Sequence, residues 1–154
     1  MAYRVYLKKK EDKRIRDGHS WVYANEVDRI EGQGKNGDIA SVYDFGGGFL
    51  GKGFINHTSK ILVRIFIYED VEVSPQYLKE LFRERISRAG EYRKKLGLEN
   101  SFRLVFGEAD LLPALIIDKY GDFFSIQILS LGMDMHRQDI VDTLVSLYSP
   151  KGIY

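Results

Sequence analysis

The sequence predicts two small domains, a mostly-β barrel followed by an α+β unit of strand-strand-helix-strand type. Between residues 3 and 68, five or six short runs rich in β-branched and aromatic residues are separated by glycine turns, the pattern of a small barrel. No strong helical periodicity appears until a charged bridge, residues 69–73, has been crossed. Beyond it, helical and extended patterns mix, and the chain closes on Gly-Ile-Tyr154, which reads as a strand just beginning. The boundary is placed between residues 70 and 71.

In the first domain, residues 3–7 (YRVYL) alternate and read as a strand. Residues 8–16 are polar apart from Ile15, so a short helical turn or loop is expected. Asp17-Gly18 is a turn signal, because glycine accepts positive φ and aspartate bonds its own backbone. Residues 21–27 then resume extended structure, with Trp21 and Tyr23 expected in the core. Residues 30–37 carry three glycines and an Asn36-Gly37 pair, and read as loop. Residues 38–43, 49–55 and 61–68 follow as strands, the last (ILVRIFIY) giving the strongest signal.

The second domain opens at Ser74-Pro75, serine as N-cap and proline at the first helical position. Leu78, Leu81, Phe82, Ile86, Ala89 and Leu96 form one apolar stripe. Arg93, Lys94 and Lys95 oppose the dipole in the last turn and Gly97 ends the helix, so it is expected over 75–96. Residues 102–106 read as a strand, 113–118 and 123–129 as a hairpin, and 133–148 as a second amphipathic helix stopped by Ser149-Pro150. The unfinished strand after it leaves a sheet edge open to pairing with another chain.

Composition excludes several classes of function. The chain has 154 residues, 44% hydrophobic and 13% aromatic, and no cysteine. Such a length buries roughly 70% of the unfolded chain's surface. Without cysteine there are no disulfides, thiolate zinc sites or cysteine nucleophiles. No apolar run approaches the ~18 residues of a membrane span and no basic-then-apolar leader is seen, so a soluble, cytoplasmic protein is expected. His19, His57 and His136 lie in separate segments without metal-ligand spacing, so no metal is expected. Glu108, Asp110 and Asp118 bracket one loop, but no nucleophile or matched base accompanies them. Cap and turn roles are expected instead, and no catalytic residue is assigned.

Residues 46–52 resemble two nucleotide-binding patterns, GGGFLG and a near P-loop. Both patterns need a helix to follow, whose N-terminal amides hold the phosphate. A strand follows here, and Gly53 stands where the P-loop needs Ser or Thr. The segment is therefore expected to be a hairpin turn.

Net charge is only +1, but residues 1–64 hold 12 Lys/Arg against 8 Asp/Glu. Arg4, Lys8, Lys9, Lys10, Lys13, Arg14 and Arg16 precede the Asp-Gly turn with only Glu11 and Asp12 among them. A local cationic patch in a near-neutral chain is a footprint of polyanion binding, though a solvated face has the same composition. The stretch 14–23, RIRDGHSWVY, sets cations and a histidine on a turn anchored by a core-bound strand. That mount suits backbone-phosphate binding, though many ordinary β-turns share the same arrangement.

The strings RDGHSWVYANEV and GDIASVYDFGGGFLGKGFINHTSKILVRI resemble the N-terminal PUA domain of the bacterial large-subunit (23S) rRNA methyltransferases that use S-adenosylmethionine. GEADLLPALIIDKYGDFFSIQILS is similar to the linking α+β domain those proteins carry before a Rossmann-like catalytic domain. The resemblance implies an RNA-binding barrel over 1–70 and a linking domain over 71–154 in a family that methylates cytosine at C5. It implies RNA, in particular ribosomal RNA, as partner. It also implies that S-adenosylmethionine and the cysteine nucleophile belong to a catalytic domain missing from these residues, leaving no cofactor site and little activity here. By the same resemblance Arg14, Arg16, Gly18 and His19 lie in the loop that meets RNA, with Lys13 adjoining. Lys52 and Arg64 are added because their strands face the same expected groove. Arg and Lys would hold phosphates, Gly18 would admit close backbone approach, and a base would stack on an arginine plane or His19. Two readings remain beside this one, a complete non-enzymatic RNA-binding protein and a protein-interaction module.

Overall fold

In the computed structural model, which describes residues 2–154, the chain divides into two compact units, one up to Glu72 and one spanning Val73–Tyr154. The expected boundary lies two residues earlier.

The first unit is a six-stranded mixed sheet forming a half-barrel. Its strands are β1 (Tyr3–Leu7), β2 (Trp21–Tyr23), β3 (Val27–Glu31), β4 (Ile39–Tyr43), β5 (Phe49–Ile55) and β6 (Ile61–Ile67), in the spatial order β2-β6-β5-β4-β1-β3. The β1–β4 pair is parallel and every other neighbouring pair antiparallel. Alternation explains the core, because Val5, Leu7, Val42, Val63 and Ile65 turn inward and are buried with Val22 and Ile15. Register shifts in β1, β2, β4 and β5 interrupt the ladder, and irregularities of this kind bend a sheet. Gly53 permits the closest approach: a Cβ there would lie 1.9 Å from the Arg64 carbonyl oxygen. The expected hairpin at residues 44–48 is present, closed by Asp44 N–H to Gly48 O at 2.8 Å.

The extended run expected over 21–27 is interrupted. Ala24–Glu26 form a 3₁₀ turn, because the Glu26 carboxylate folds back to accept the Tyr23 N–H at 2.9 Å. The chain re-enters the sheet as β3, which takes in Ile30 and Glu31, so the loop begins later than expected.

The second unit begins with α2 (Pro75–Lys95), counted after a short helix α1 (Lys13–Arg16) in the first unit. Ser74 caps α2 by accepting the Tyr77 N–H at 3.0 Å, and Leu78, Leu81, Phe82, Ile86 and Ala89 of its stripe are buried, whereas Leu96, expected in the same stripe, is the C-cap and exposed. Gly97, at φ +80°, closes it. The sheet runs β10-β9-β8-β7, with β7 (Ser101–Phe106), β8 (Leu115–Tyr120), β9 (Phe123–Ile128) and β10 (Gly152–Ile153). β10 runs parallel to β9, and Tyr154 continues the pairing through bonds to Phe124 and Ile126. β8 starts two residues later than expected because Leu111 and Ala114 are held left-handed, at φ 58° and 63°.

The expected single helix over 133–148 is two. α3 (Leu131–Asp134) starts under a Ser130 cap, and α4 (Arg137–Tyr148) follows a break at His136. There φ is −108°, the ring packs 5.6 Å from Phe82, and Nδ1 lies 3.3 Å from Asp139. These side-chain contacts fix a conformation that periodicity alone does not reveal.

Candidate nucleic-acid interface

The cation-bearing turn is built by one apolar residue and one glycine. Ile15 is buried with Leu7 and Val22, so α1 is pinned to the half-barrel by its single apolar side chain. Gly18, at φ +105°, then reverses the chain. Its N–H bonds the Ile15 carbonyl and the His19 N–H bonds the Arg14 carbonyl, both at 3.1 Å. This is the paired closure of a Schellman motif, which satisfies carbonyls that would otherwise be orphaned. The Ser20 carbonyl is held by the Ile65 N–H at 2.7 Å, which ties the end of the turn to β6.

The turn's cations have different duties. Arg14 is half-buried, donates to the Glu26 carboxylate and to the Trp21 carbonyl (3.2 Å), and lies 4.9 Å over the Tyr23 ring. It braces α1 against β2 and the 3₁₀ turn. Arg16 is exposed and shared between Asp12 and Asp44, each at 2.6 Å. Its guanidinium is held above its ordinary pKa, first by the Asp12 hydrogen bond, and in return holds the Asp12 carboxyl below the usual carboxylate range. Lys13 is exposed and pairs with Asp17 at 2.9 Å. Exposed pairs of this kind are weak, so a phosphate can displace the carboxylate at small cost. His19 is exposed at the end of the turn.

Trp21 and Tyr23 are not in the core. They are half-buried on the outer face of β2 while Val22, between them, fills the interior. Their position follows from the strand's period of two, which sends one neighbour inward and the other two outward. Arg64 pairs with Trp21 in the β2–β6 register and places its guanidinium 4.9 Å from the indole.

Of the residues expected at the interface, Lys13, Arg14, Arg16, Gly18 and His19 share one turn, and Arg64 adjoins them through Trp21. Lys52 stands apart. Its ammonium donates to the Val71 carbonyl at 2.5 Å and lies 3.5 Å from Asp70, with only 14% of the side chain exposed.

Lys8, Lys9 and Lys10 are not among the expected site residues. They are exposed, are separated from α1 by Glu11 and Asp12, and have no side-chain partner among the described residues. Their signal was visible as a charge run, but a run does not say which cations the fold will neutralise.

The acidic loop of the second unit is structural. Asp110 takes two bonds from Arg93, at 2.5 and 2.8 Å, and caps the Phe106 N–H, while Asp118 pairs with Arg103. Among the described residues no group of three or more His, Asp or Glu could hold a metal, and no helix is long and apolar enough to cross a membrane. Residues 46–51 lie in a hairpin and its second strand, so they offer no helix N-terminus to a nucleotide.

Residues 5–68 match the model of a PUA-like domain. The whole chain is 31% identical over 157 residues to Ribosomal RNA large subunit methyltransferase I of Aliivibrio fischeri, covering 39% of that protein. The proteins of the same name from Vibrio cholerae and Escherichia coli are 32% and 31% identical, with 38% and 39% of their lengths covered. The chain thus spans about two fifths of the length of these curated relatives. A putative SAM-dependent methyltransferase from Streptococcus mutans superposes with a TM-score of 0.78 at 17% identity, over 97% of this chain and 39% of that one. A putative methyltransferase solved in complex with SAH gives the same TM-score and identity. At that identity the likeness is one of fold.

Proposed function

We propose, for a chain related along its whole length to ribosomal RNA large subunit methyltransferase I proteins, that it is the RNA-holding and positioning portion of a methyltransferase acting on ribosomal RNA. In this reading the first unit grips RNA and the second is a linking domain. Methyl transfer from S-adenosylmethionine, to cytosine C5 in the family resembled, takes place in the larger protein in the cytoplasm. This chain's glycine-rich segment does not fit that cofactor, since it forms a hairpin rather than a strand-to-helix turn.

The observation that carries the reading is the Schellman turn within the PUA-like segment. It mounts Arg16 and His19 rigidly, close in sequence to three unpaired lysines. Phosphates would exchange with the carboxylates on Lys13 and Arg16, and Lys8–10 would supply long-range attraction. Arg14 holds the turn in shape, and Arg64 and Trp21 extend the surface.

The test is a titration of the 154-residue chain with ribosomal RNA fragments over a range of salt, followed by fluorescence anisotropy. Binding that weakens log-linearly with salt is expected, together with no saturable heat from S-adenosylmethionine in calorimetry. Absence of salt-dependent RNA binding would overturn the reading.

A further inference from the structure

The outward face of the half-barrel carries a second feature that the α1 turn does not use. Arg29, Tyr6, Tyr43 and Phe49 stand opposite one another on β3, β1, β4 and β5. The Arg29 guanidinium lies 3.8 Å from the Tyr6 ring centroid. Tyr6 stacks on Tyr43 at 5.1 Å and 21°, and Phe49 meets Tyr43 edge-on at 6.0 Å. Their neighbours Val5, Leu7 and Val42 are buried, so the row points away from the core.

Cross-strand packing accounts for the three rings, but not for a guanidinium as the outermost layer. Arg29 is 48% exposed, and Glu31 accepts from its Nε at 3.1 Å. The Asp28 carboxylate also lies 3.7 Å from Nη1. Guanidinium N–H bonds lie in the plane of the group, so carboxylates are bonded at its edges, and a planar group can stack on the face opposite Tyr6. On the same outward face of β1, Arg4 is exposed with no side-chain partner among the described residues. Flat layers ending in an arginine plane, with an unpaired cation nearby, match the needs of a splayed base and its phosphate.

We propose that this face is a second RNA surface, for single-stranded RNA, on which a base stacks on Arg29 and Arg4 meets the adjacent phosphate. The proposal rests on the RNA-binding reading above and extends it from the turn to the wall of the half-barrel.

The test uses the 154-residue chain and a 12-nucleotide single-stranded RNA carrying 2-aminopurine. Arg29→Lys keeps the charge and removes the plane. Binding should weaken about tenfold, consistent with one lost stacking contact, the 2-aminopurine fluorescence change on binding should be lost, and the salt slope should stay unchanged. Tyr43→Leu, which unsupports the stack, should act in the same direction, with circular dichroism melts checking that both variants fold. Arg16→Ala is the control for the turn. Wild-type affinity and fluorescence change in Arg29→Lys, beside a weakened Arg16→Ala, would overturn this proposal alone. No RNA binding by the unmodified chain would overturn both readings.

Discussion

The Arg16 guanidinium reaches 2.6 Å to the Asp44 carboxylate across 28 positions of sequence, fastening α1 to the β4–β5 hairpin. Two positions earlier, Arg14 makes a more protected contact with Glu26, whose side chain is only 12% exposed. These neighbouring arginines should separate in their effects. Arg14→Ala leaves a largely buried carboxylate without its partner and should cost about 2 kcal/mol, read by urea titration. Arg16→Ala should leave the urea midpoint nearly unchanged and reduce the salt slope of RNA binding by about one. Equal stability losses would show that the two have been given the wrong duties.

Lys8, Lys9 and Lys10 have no internal partner, so replacing all three with alanine should remove attraction without harming the fold. For single-stranded RNA the slope of log K against log salt should become shallower by about two. Anisotropy titrations at several salt concentrations measure it, beside an unchanged thermal melt.

The glycines at 18 and 53 serve different ends. At Gly53 an added Cβ meets the Arg64 backbone at 1.9 Å, so Gly53→Ala should force β5 and β6 apart and abolish cooperative unfolding. At Gly18 the space is open and only the positive φ is strained, so Gly18→Ala should fold with a loss of about 1–2 kcal/mol. Near-UV circular dichroism and urea titration distinguish the two outcomes.

In the second unit, burial and then Glu91 raise the pKa of Tyr148 above its ordinary 10.0. The folded state therefore keeps this proton after the unfolded chain has released it. Stability is unaffected below about pH 10 and falls as pH rises toward the folded value. Tyr148→Phe should flatten that alkaline limb. Parallel urea midpoints for the two proteins from pH 9 to 11.5 would count against it.

What could be read from the sequence depended on how local each cause was. β5 was expected over residues 49–55 and occupies those residues, because its alternation and glycine punctuation are written within a few positions. The Ser74-Pro75 start of α2 is similarly self-contained. The 3₁₀ turn at Ala24–Glu26 depends on a glutamate answering both Tyr23 and an arginine 12 positions away, which no window of residues displays. The turn's residue types were legible, and so was the glycine that closes it. Which cations the fold neutralises was not, because that depends on whether an acid such as Asp44 or Asp70 arrives beside them.

The strand that carries the turn, β2, has a single neighbour in its sheet, β6, with Trp21 lying opposite Arg64. Such distant pairing forms late, since much chain must be closed into a loop before it is rewarded. The end of the turn, tied to β6 through the Ser20 carbonyl, is therefore fixed only once that last strand has been made.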